Sequence, residues 1–252
     1  MFLFQPPPYT RYDLNFSLAG IPVRVHPLFW LMAILFGFSS DLLQLLIWIV
    51  AVFISILIHE LGHALAMRLY GQPSQIVLHA AGGLTIPGSV RWGGAWANVS
   101  LTPNQEIFIS LAGPGAGFLL AALIIAASVL AGGSLMLTRL FGLIPFPVVT
   151  LPFSSQIPSS IVMTFLWVNI FWGLINLLPV YPLDGGNVTR HLLVRTDPWE
   201  GARKSLWVSV IAGAIVAVFS LIFARNLYLT LLFGLLAFQS YQTLQGRSGI
   251  GF

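Results

Sequence analysis

The sequence has no cysteine, which excludes disulfides, thiolate zinc ligands and thiol chemistry. It is also poor in charge: 7% of its 252 residues are Asp, Glu, Lys or Arg, where a soluble domain carries roughly 25%. Acids are the scarcer sign, with seven against eleven basic residues. The net charge of +4 forms no phosphate-binding patch, because the basic residues stand singly between apolar runs, and nucleic acid is not an expected partner. No internal repeat or low-complexity segment is present. The opening stretch MFLFQPPPYTRYDLNFSLAG lacks the basic start, long apolar core and small-residue cleavage site of a signal peptide, so none is expected.

Apolar residues take the place of charge. They make up 57% of the chain and the mean hydropathy is +0.90, the composition of an integral membrane protein in a lipid bilayer. With about 20 apolar residues per crossing, six spans are predicted. They are a short one at about Leu28–Phe38, then Leu42–Leu69, Glu106–Ala131, Ser159–Leu178, Ser205–Ala224 and Leu227–Leu244. Between the second and third, Ile76, Leu78 and Ala80 alternate with polar or small neighbours in a Gly- and Pro-rich stretch, which predicts a short strand or hairpin. The connections are too short for a separate soluble domain, which needs about 50 residues. The expected fold class is an all-α polytopic membrane protein with about six transmembrane helices and a short β-strand or hairpin insertion. One membrane-embedded domain is expected over residues 1–252.

If the spans alternate, Arg11, Arg24, Arg68, Arg91, Arg190, Arg195, Arg203, Lys204 and Arg247 fall on one side, and only Arg139 and Arg225 on the other. The positive-inside rule makes the crowded side cytoplasmic, with both termini there. The Asn-x-Ser/Thr matches at Asn98 and Asn187 lie on that side, so glycosylation is not expected.

Against this background the stretch ISILIHELGHALAMRLYG, residues 54–71, carries two histidines and a glutamate that would be costly in hydrocarbon unless paired or metal-bound. His59 and His63 stand four apart, so on a helix they project from one face, one turn apart, at a separation that can chelate zinc. Glu60 can reach a water there and take its proton, as in the H-E-x-x-H arrangement of zinc proteases. Shuffling the chain would produce this pattern about once in a thousand times.

A catalytic zinc takes a third protein ligand and keeps one position open. Asp197 and Glu200 lie in the polar connection RTDPWEGARK and read as solvated charge. Glu106 opens the third span, where the helix dipole favours a carboxylate, and it stays a candidate ligand. Asp184 follows Pro179 and Pro182 and precedes Gly185 and Gly186, on irregular backbone of the kind tolerated at membrane depth only inside protein or along a cavity. Its alternative role is to cap a short helix beginning near Asn187. His59 lies about 25 Å along the second span, and the fourth span descends to the same side just before Asp184. Asn169 and Asn176, seven apart, are expected on one inward helical face, with Asn176 the better placed near a metal.

HELGH (His59–His63), SLAGPGAGFLL (Ser110–Leu120), NLLPVYPLDGG (Asn176–Gly186) and HAAGGLTIPG (His79–Gly88) together resemble the site-2 proteases, zinc metalloproteases that cut within the membrane. The resemblance runs over about residues 20–195, which would be the catalytic core. A C-terminal helix pair follows at about 205–245, with neither a PDZ-like nor a nucleotide-sensing extension. It implies one Zn2+ per chain held by His59, His63 and Asp184, Glu60 as general base and acid, and Asn176 as a polar helper. It also implies substrates that are single-span membrane proteins, such as an anti-sigma factor or a signal-peptide remnant, in a prokaryotic cell membrane with the active site toward the cytoplasm. Where the family usually has Asn three residues after the Gly-Pro of the third span, this chain has Gly117, so no polar role is carried over. The segment Ile76–Ile86 is expected to offer a strand edge to an unwound substrate, with Gly82, Gly83 and Leu84 in contact. The rival readings are a zinc enzyme with Glu106 as third ligand, and an intramembrane metal transporter or catalytically silent membrane-binding protein. A transporter would spread its polar groups along a path.

Overall fold

The structure is a computed structural model describing residues 5–37, 39, 41–88, 90–92, 95–97, 99–140, 142 and 144–246, with backbone alone at 90–92 and 95–97. Phe38, Asn98 and Arg247 lie outside the described residues. Two compact units make up the chain: Phe2–Ser100 with Ala112–Leu174, and Leu101–Leu111 with Ile175–Phe252.

The first unit begins with a sheet. β1 (Leu14–Leu18) turns through Ala19 and Gly20, at φ of 51° and 74°, into antiparallel β2 (Ile21–Val25). A two-residue turn at positive φ matches the natural twist of the strands. In β2, Ile21, Val23 and Val25 alternate into the core, while Arg24 bonds Asp13 Oδ2 at 3.1 Å and the Pro7 carbonyl at 2.9 Å. After β2, the His26 Nδ1 accepts from the Leu28 N–H at 3.2 Å and caps α1 (Pro27–Phe36). This helix is about 15 Å long, half a hydrocarbon core, so the first predicted span is helical but does not cross on its own.

α2 (Leu42–Leu69) is capped by Asp41, whose side chain accepts from the Leu43 N–H at 2.9 Å. At its far end the chain returns to the sheet as β3 (Ser74–His79), parallel to β2, and then as antiparallel β4 (Gly82–Pro87). The strand order β1-β2-β3-β4 leaves β4 at an edge. The alternation expected at Ile76, Leu78 and Ala80 stops at His79, and Val77 is buried as well, because β3 is an inner strand with both neighbours in place. A further hairpin, β5 (Val90–Trp92) with β6 (Ala95–Ala97), precedes α3 (Pro103–Leu130).

Between α3 and α4 (Ile157–Asn176) lies an element that the hydropathy reading did not resolve: the antiparallel hairpin β7 (Ser134–Leu140) and β8 (Ile144–Thr150). Within α4, Trp167–Trp172 is wound as a π-helix. Asn169 lies in this π-wound stretch, and Asn176 ends the helix beyond it.

In the second unit, α5 (Asp184–Thr196) leads to the pair α6 (Gly201–Ile222) and α7 (Leu227–Leu244). Among the described residues five helices are long and apolar enough to cross a membrane: α2, α3, α4, α6 and α7. The chain is a multi-pass membrane protein, mostly helical, with small sheets.

Where α2 meets α3, Gly62 has no room for a side chain: a Cβ there would lie 2.4 Å from the Ala112 carbonyl oxygen and 2.9 Å from the Ala116 Cβ. Small residues that let helix backbones touch are the usual source of packing between membrane helices. Gly62→Ala is expected to lower stability by about 1–3 kcal/mol, read as a lower thermal midpoint in detergent micelles. An unchanged midpoint would mean that α2 and α3 are not held at this distance.

Candidate metal centre

The two histidines of the motif sit one turn apart on α2, as their spacing requires, and their Nε2 atoms converge to 3.2 Å. Two ring nitrogens this close either share a proton or share a cation. His63 is buried, His59 half-buried. Space for the His63 ring is made by α3: a Cβ on Gly113 would lie 2.2 Å from His63 Nε2. Gly113 is therefore a cradle for the ligand atom, and it lies in the SLAGPG stretch of the sequence.

Glu60 projects from the next position and is buried. Its partner comes from β4. The Thr85 hydroxyl lies 2.7 Å from Glu60 Oε2 and 3.0 Å from the Glu60 carbonyl oxygen. Two residues earlier, Gly83 brings its backbone against the same carboxylate: a Cβ there would stand 2.4 Å from both Glu60 Cγ and Oε1. Gly82, at φ +118°, opens the strand, and Leu84 follows Gly83 as a half-buried residue. Gly82, Gly83 and Leu84 are thus the first three residues of β4. Thr85 was not singled out from the sequence. Its only signal was its place two residues after Gly83, which puts both on one side of a strand.

Asn169, in the π-wound part of α4, is buried and donates to Ser55 Oγ at 2.8 Å and to the Phe165 carbonyl at 2.8 Å. Its Oδ1 stands 3.4 Å from where a Cβ on Gly117 would be. An amide from α4 therefore borders the space that a side chain on α3 would enter. Asn176 is the last residue of α4 and is half-buried.

Asp184 lies at the first position of α5, with Leu183 as the capping residue, so the helix starts three residues earlier than Asn187. The turn before it holds a cis Tyr181–Pro182 bond, and the Tyr181 N–H donates to Ser209 Oγ at 3.0 Å. Gly185 has no space for a Cβ, which would lie 2.1 Å from the Leu177 carbonyl oxygen. His59 and His63 in the first unit each offer an imidazole nitrogen, and Asp184 in the second offers a carboxylate oxygen. Two imidazoles and a carboxylate are a donor set that zinc takes in catalytic sites, with a fourth position left open. The set and its cradle fit zinc.

The other acids stand apart from this set. Glu106 is in the first turn of α3, facing His191, whose pKa is lowered by burial, raised in part by Glu106 and lowered again by Arg190. Asp197 pairs with Lys204 at 2.6 Å and accepts from the Glu200 N–H, on the surface as expected. At the end of β3, His79 is buried, and burial, His26 and Arg24 all push its pKa down, so it is held neutral beside the β4 turn.

Comparison with known proteins gives a consistent picture. The sequence matches the family described as Peptidase family M50 over residues 47–219. It is 25% identical, over 82% of its length, to Zinc metalloprotease MJ0392 of Methanocaldococcus jannaschii. It is 28% identical over 70% of its length to Putative zinc metalloprotease sll0528 of Synechocystis sp.. With Putative zinc metalloprotease Rip3 of Mycobacterium tuberculosis the identity is 30% over 65%. The chain spans 52%, 43% and 35% of these relatives' own lengths, about half or less. Its fold is similar to that of the Site-2 Protease from Methanocaldococcus jannaschii, with a TM-score of 0.55 and 21% identity, covering 92% of this chain and 95% of that one. Since the family match covers well over half of the sequence, from α2 with its histidine pair through α5 with Asp184, the chain belongs to Peptidase family M50, the family of the site-2 proteases.

Proposed function

We propose that this chain is a zinc-dependent intramembrane endopeptidase, which hydrolyses a peptide bond within or near the transmembrane helix of a single-span membrane protein. The observation that carries the proposal is the setting of Glu60: a buried carboxylate fixed by Thr85, one residue from converging histidine nitrogens. A structural carboxylate in an apolar helix would be paired with a cation, whereas this one is aimed by a hydroxyl and a glycine. The catalysis is carried by about residues 20–195 of a single membrane-embedded domain, 1–252.

His59, His63 and Asp184 would hold zinc, which would supply Lewis acidity toward a carbonyl oxygen and toward water near pH 7. Glu60 takes the proton of the attacking water and then delivers it to the leaving amine. Thr85 holds Oε2, so Oε1 beside Gly83 is the oxygen left to handle the proton. Asn176 is the polar helper for the peptide group. A helical substrate hides its carbonyls in its own hydrogen bonds and must unwind, and β4, which among the described residues pairs only with β3, has an edge that an extended peptide can join. Gly82, Gly83 and Leu84 lie at the start of that edge.

The charge skew supports an orientation with both termini and the metal centre toward the cytoplasm of a prokaryotic cell membrane. Anti-sigma factors and signal-peptide remnants are substrates of the required single-span type.

In membranes or proteoliposomes, Glu60→Gln is expected to lose roughly 10²–10⁴-fold in cleavage while retaining zinc by elemental analysis. Proteomic comparison with wild type then reveals the uncut substrates as accumulating full-length partners. Full cleavage by this variant would sink the proposal. Thr85→Val removes the hydrogen bond to a charged group and is expected to lower kcat roughly 10- to 100-fold with zinc content unchanged, and Thr85→Ser to restore most of it. If valine is as active as threonine, Thr85 does not position Glu60.

A further inference from the structure

Asn169, in the π-wound turn of α4, is only 4% exposed. Its Nδ2 donates to Ser55 Oγ on α2 and to the Phe165 carbonyl on its own helix, each at 2.8 Å. A carbonyl can only accept, so the amide cannot be turned over without losing the Phe165 bond. Both N–H groups of the side chain are therefore used, and Oδ1 points away from them. Among the described residues nothing donates to Oδ1. An acceptor left unmet inside a protein is costly, and it marks a position that is strained, liganded or catalytic. π-helical turns are themselves frequent at functional sites.

What faces Oδ1 is a gap in α3. A Cβ on Gly117 would lie 3.4 Å from Oδ1 and 3.7 Å from the Asn169 carbonyl oxygen, and among the described residues no other atom beyond its own helix comes within 4 Å. Gly117 is buried all the same. The gap is thus sheltered, and a group of methyl size would sit in it close to hydrogen-bond range of Oδ1. Gly113 lies one turn earlier on the same face of α3, and there the His63 ring takes the place of the missing side chain. On α2, Ser55, His59 and His63 repeat at the same four-residue interval. The glycine face of α3 therefore runs from the histidine nitrogens to the Asn169 oxygen, a distance of about 6 Å along the helix.

We propose that Asn169 is a substrate-positioning residue, whose Oδ1 accepts a main-chain N–H of the unwound substrate in the gap that Gly117 leaves. The proposal deepens the proteolytic reading and rests on it for the source of the peptide. The apolar side chains of a membrane span carry no donor. The donor that every residue of such a span shares is its main-chain N–H, which is released when the helix unwinds and is costly to leave unpaired at membrane depth. A strand added to β4 would spend only every second N–H on the ladder, and the alternate ones need acceptors elsewhere. An amide oxygen fixed from α2 and α4 and facing a gap in α3 meets that need whatever the apolar sequence. An extended peptide advances about 3.3 Å per residue, so 6 Å puts this N–H about two residues from the bond beside the histidine nitrogens. The contact sets which bond is presented for cleavage without touching the reacting atoms.

The test uses the full chain in proteoliposomes and a synthetic single-span peptide whose Leu/Ala-rich span is broken by a central Gly-Pro pair. One ester replaces one amide, moved a residue at a time along the span, because an ester has no N–H. Binding is read by fluorescence titration of the labelled peptide with the Glu60→Gln chain, and cleavage by mass spectrometry of the products of the chain with Glu60 in place. An ester at a single position, about two residues from the cut, should raise Kd roughly tenfold. Adding Asn169→Leu should raise Kd for the all-amide peptide by a similar factor and abolish the ester effect. With Glu60 in place, Asn169→Leu should raise KM far more than it lowers kcat and should spread cleavage over neighbouring bonds. Gly117→Ala, whose methyl fits at ordinary contact distance, should keep the thermal midpoint and zinc content of wild type while its ester effect shrinks, and it carries the comparison if Asn169→Leu does not fold. No ester effect at any position, or the same effect in these variants as without them, would overturn the proposal and leave Oδ1 to a water. A peptide neither bound nor cut overturns the proposal and the protease reading together. If the ester effect is seen in binding but wild type leaves the span uncut, the Asn169 contact stands and the protease reading fails.

Discussion

The buried polar side chains beside the histidine pair lie where water is scarce, so they find their partners in protein. That constraint is the common cause behind contacts that otherwise look unrelated. The Glu60 carboxylate is met by a threonine hydroxyl from a strand. The Asn169 amide is met by Ser55 and by a carbonyl one turn back. The outward amide of Val149 is met by a thioether, a weak acceptor that would be a poor choice in water. In hydrocarbon a weak partner is far better than none. The functional side chains are therefore held by short, specific contacts, and these also rule out alternative rotamers. Pre-organisation of the Glu60 carboxylate comes from the same solvent poverty that makes it costly to keep there.

Glycine is the second device, and it works by proximity. At Gly62 it lets α3 touch α2, at Gly113 it leaves the volume that the His63 ring occupies, and at Gly83 it lets a strand run against Glu60. The helix carrying His59 and His63, the glycine-containing stretch of α3 and the edge of a sheet meet within one side chain's width as a result. The close approach also removes the space a water would need, which strengthens electrostatic interactions inside the site. Packing and chemistry are thus set by the same positions.

Much of this could be read from the residues. HELGH carries its own geometry, because the 3.6-residue period fixes which side chains share a face. Five of the six predicted spans are present as helices of crossing length, and α1 is short for the reason visible in its sequence: there are too few apolar residues before Ser39. Other features were hidden because they depend on partners distant in sequence. Nothing local marks Thr85 as the residue that meets Glu60, 25 positions away. The β7–β8 hairpin was missed because apolar residues in a membrane protein carry no alternation when both faces of a strand meet lipid or helix, which removes the period-2 signal. The π-helical turn at Trp167–Trp172 has no sequence signature either.

Gly117 shows how such substitutions between helices work. The family resemblance places an asparagine there, and its loss would ordinarily remove a polar group from the interior. In this chain the Asn169 amide oxygen stands at van der Waals distance from the missing Cβ, supported by Ser55 on α2. An asparagine at position 117 would have to share this space with Asn169, and both amides need donors and acceptors that only one set of neighbours can supply. A small residue on α3 and a buried amide on α4 are therefore one solution, and the π-helical turn carrying Asn169 is part of it. At this level of the bundle the buried amide is that of Asn169, its N–H groups satisfied by Ser55 and the Phe165 carbonyl, and Gly117 leaves the volume beside it.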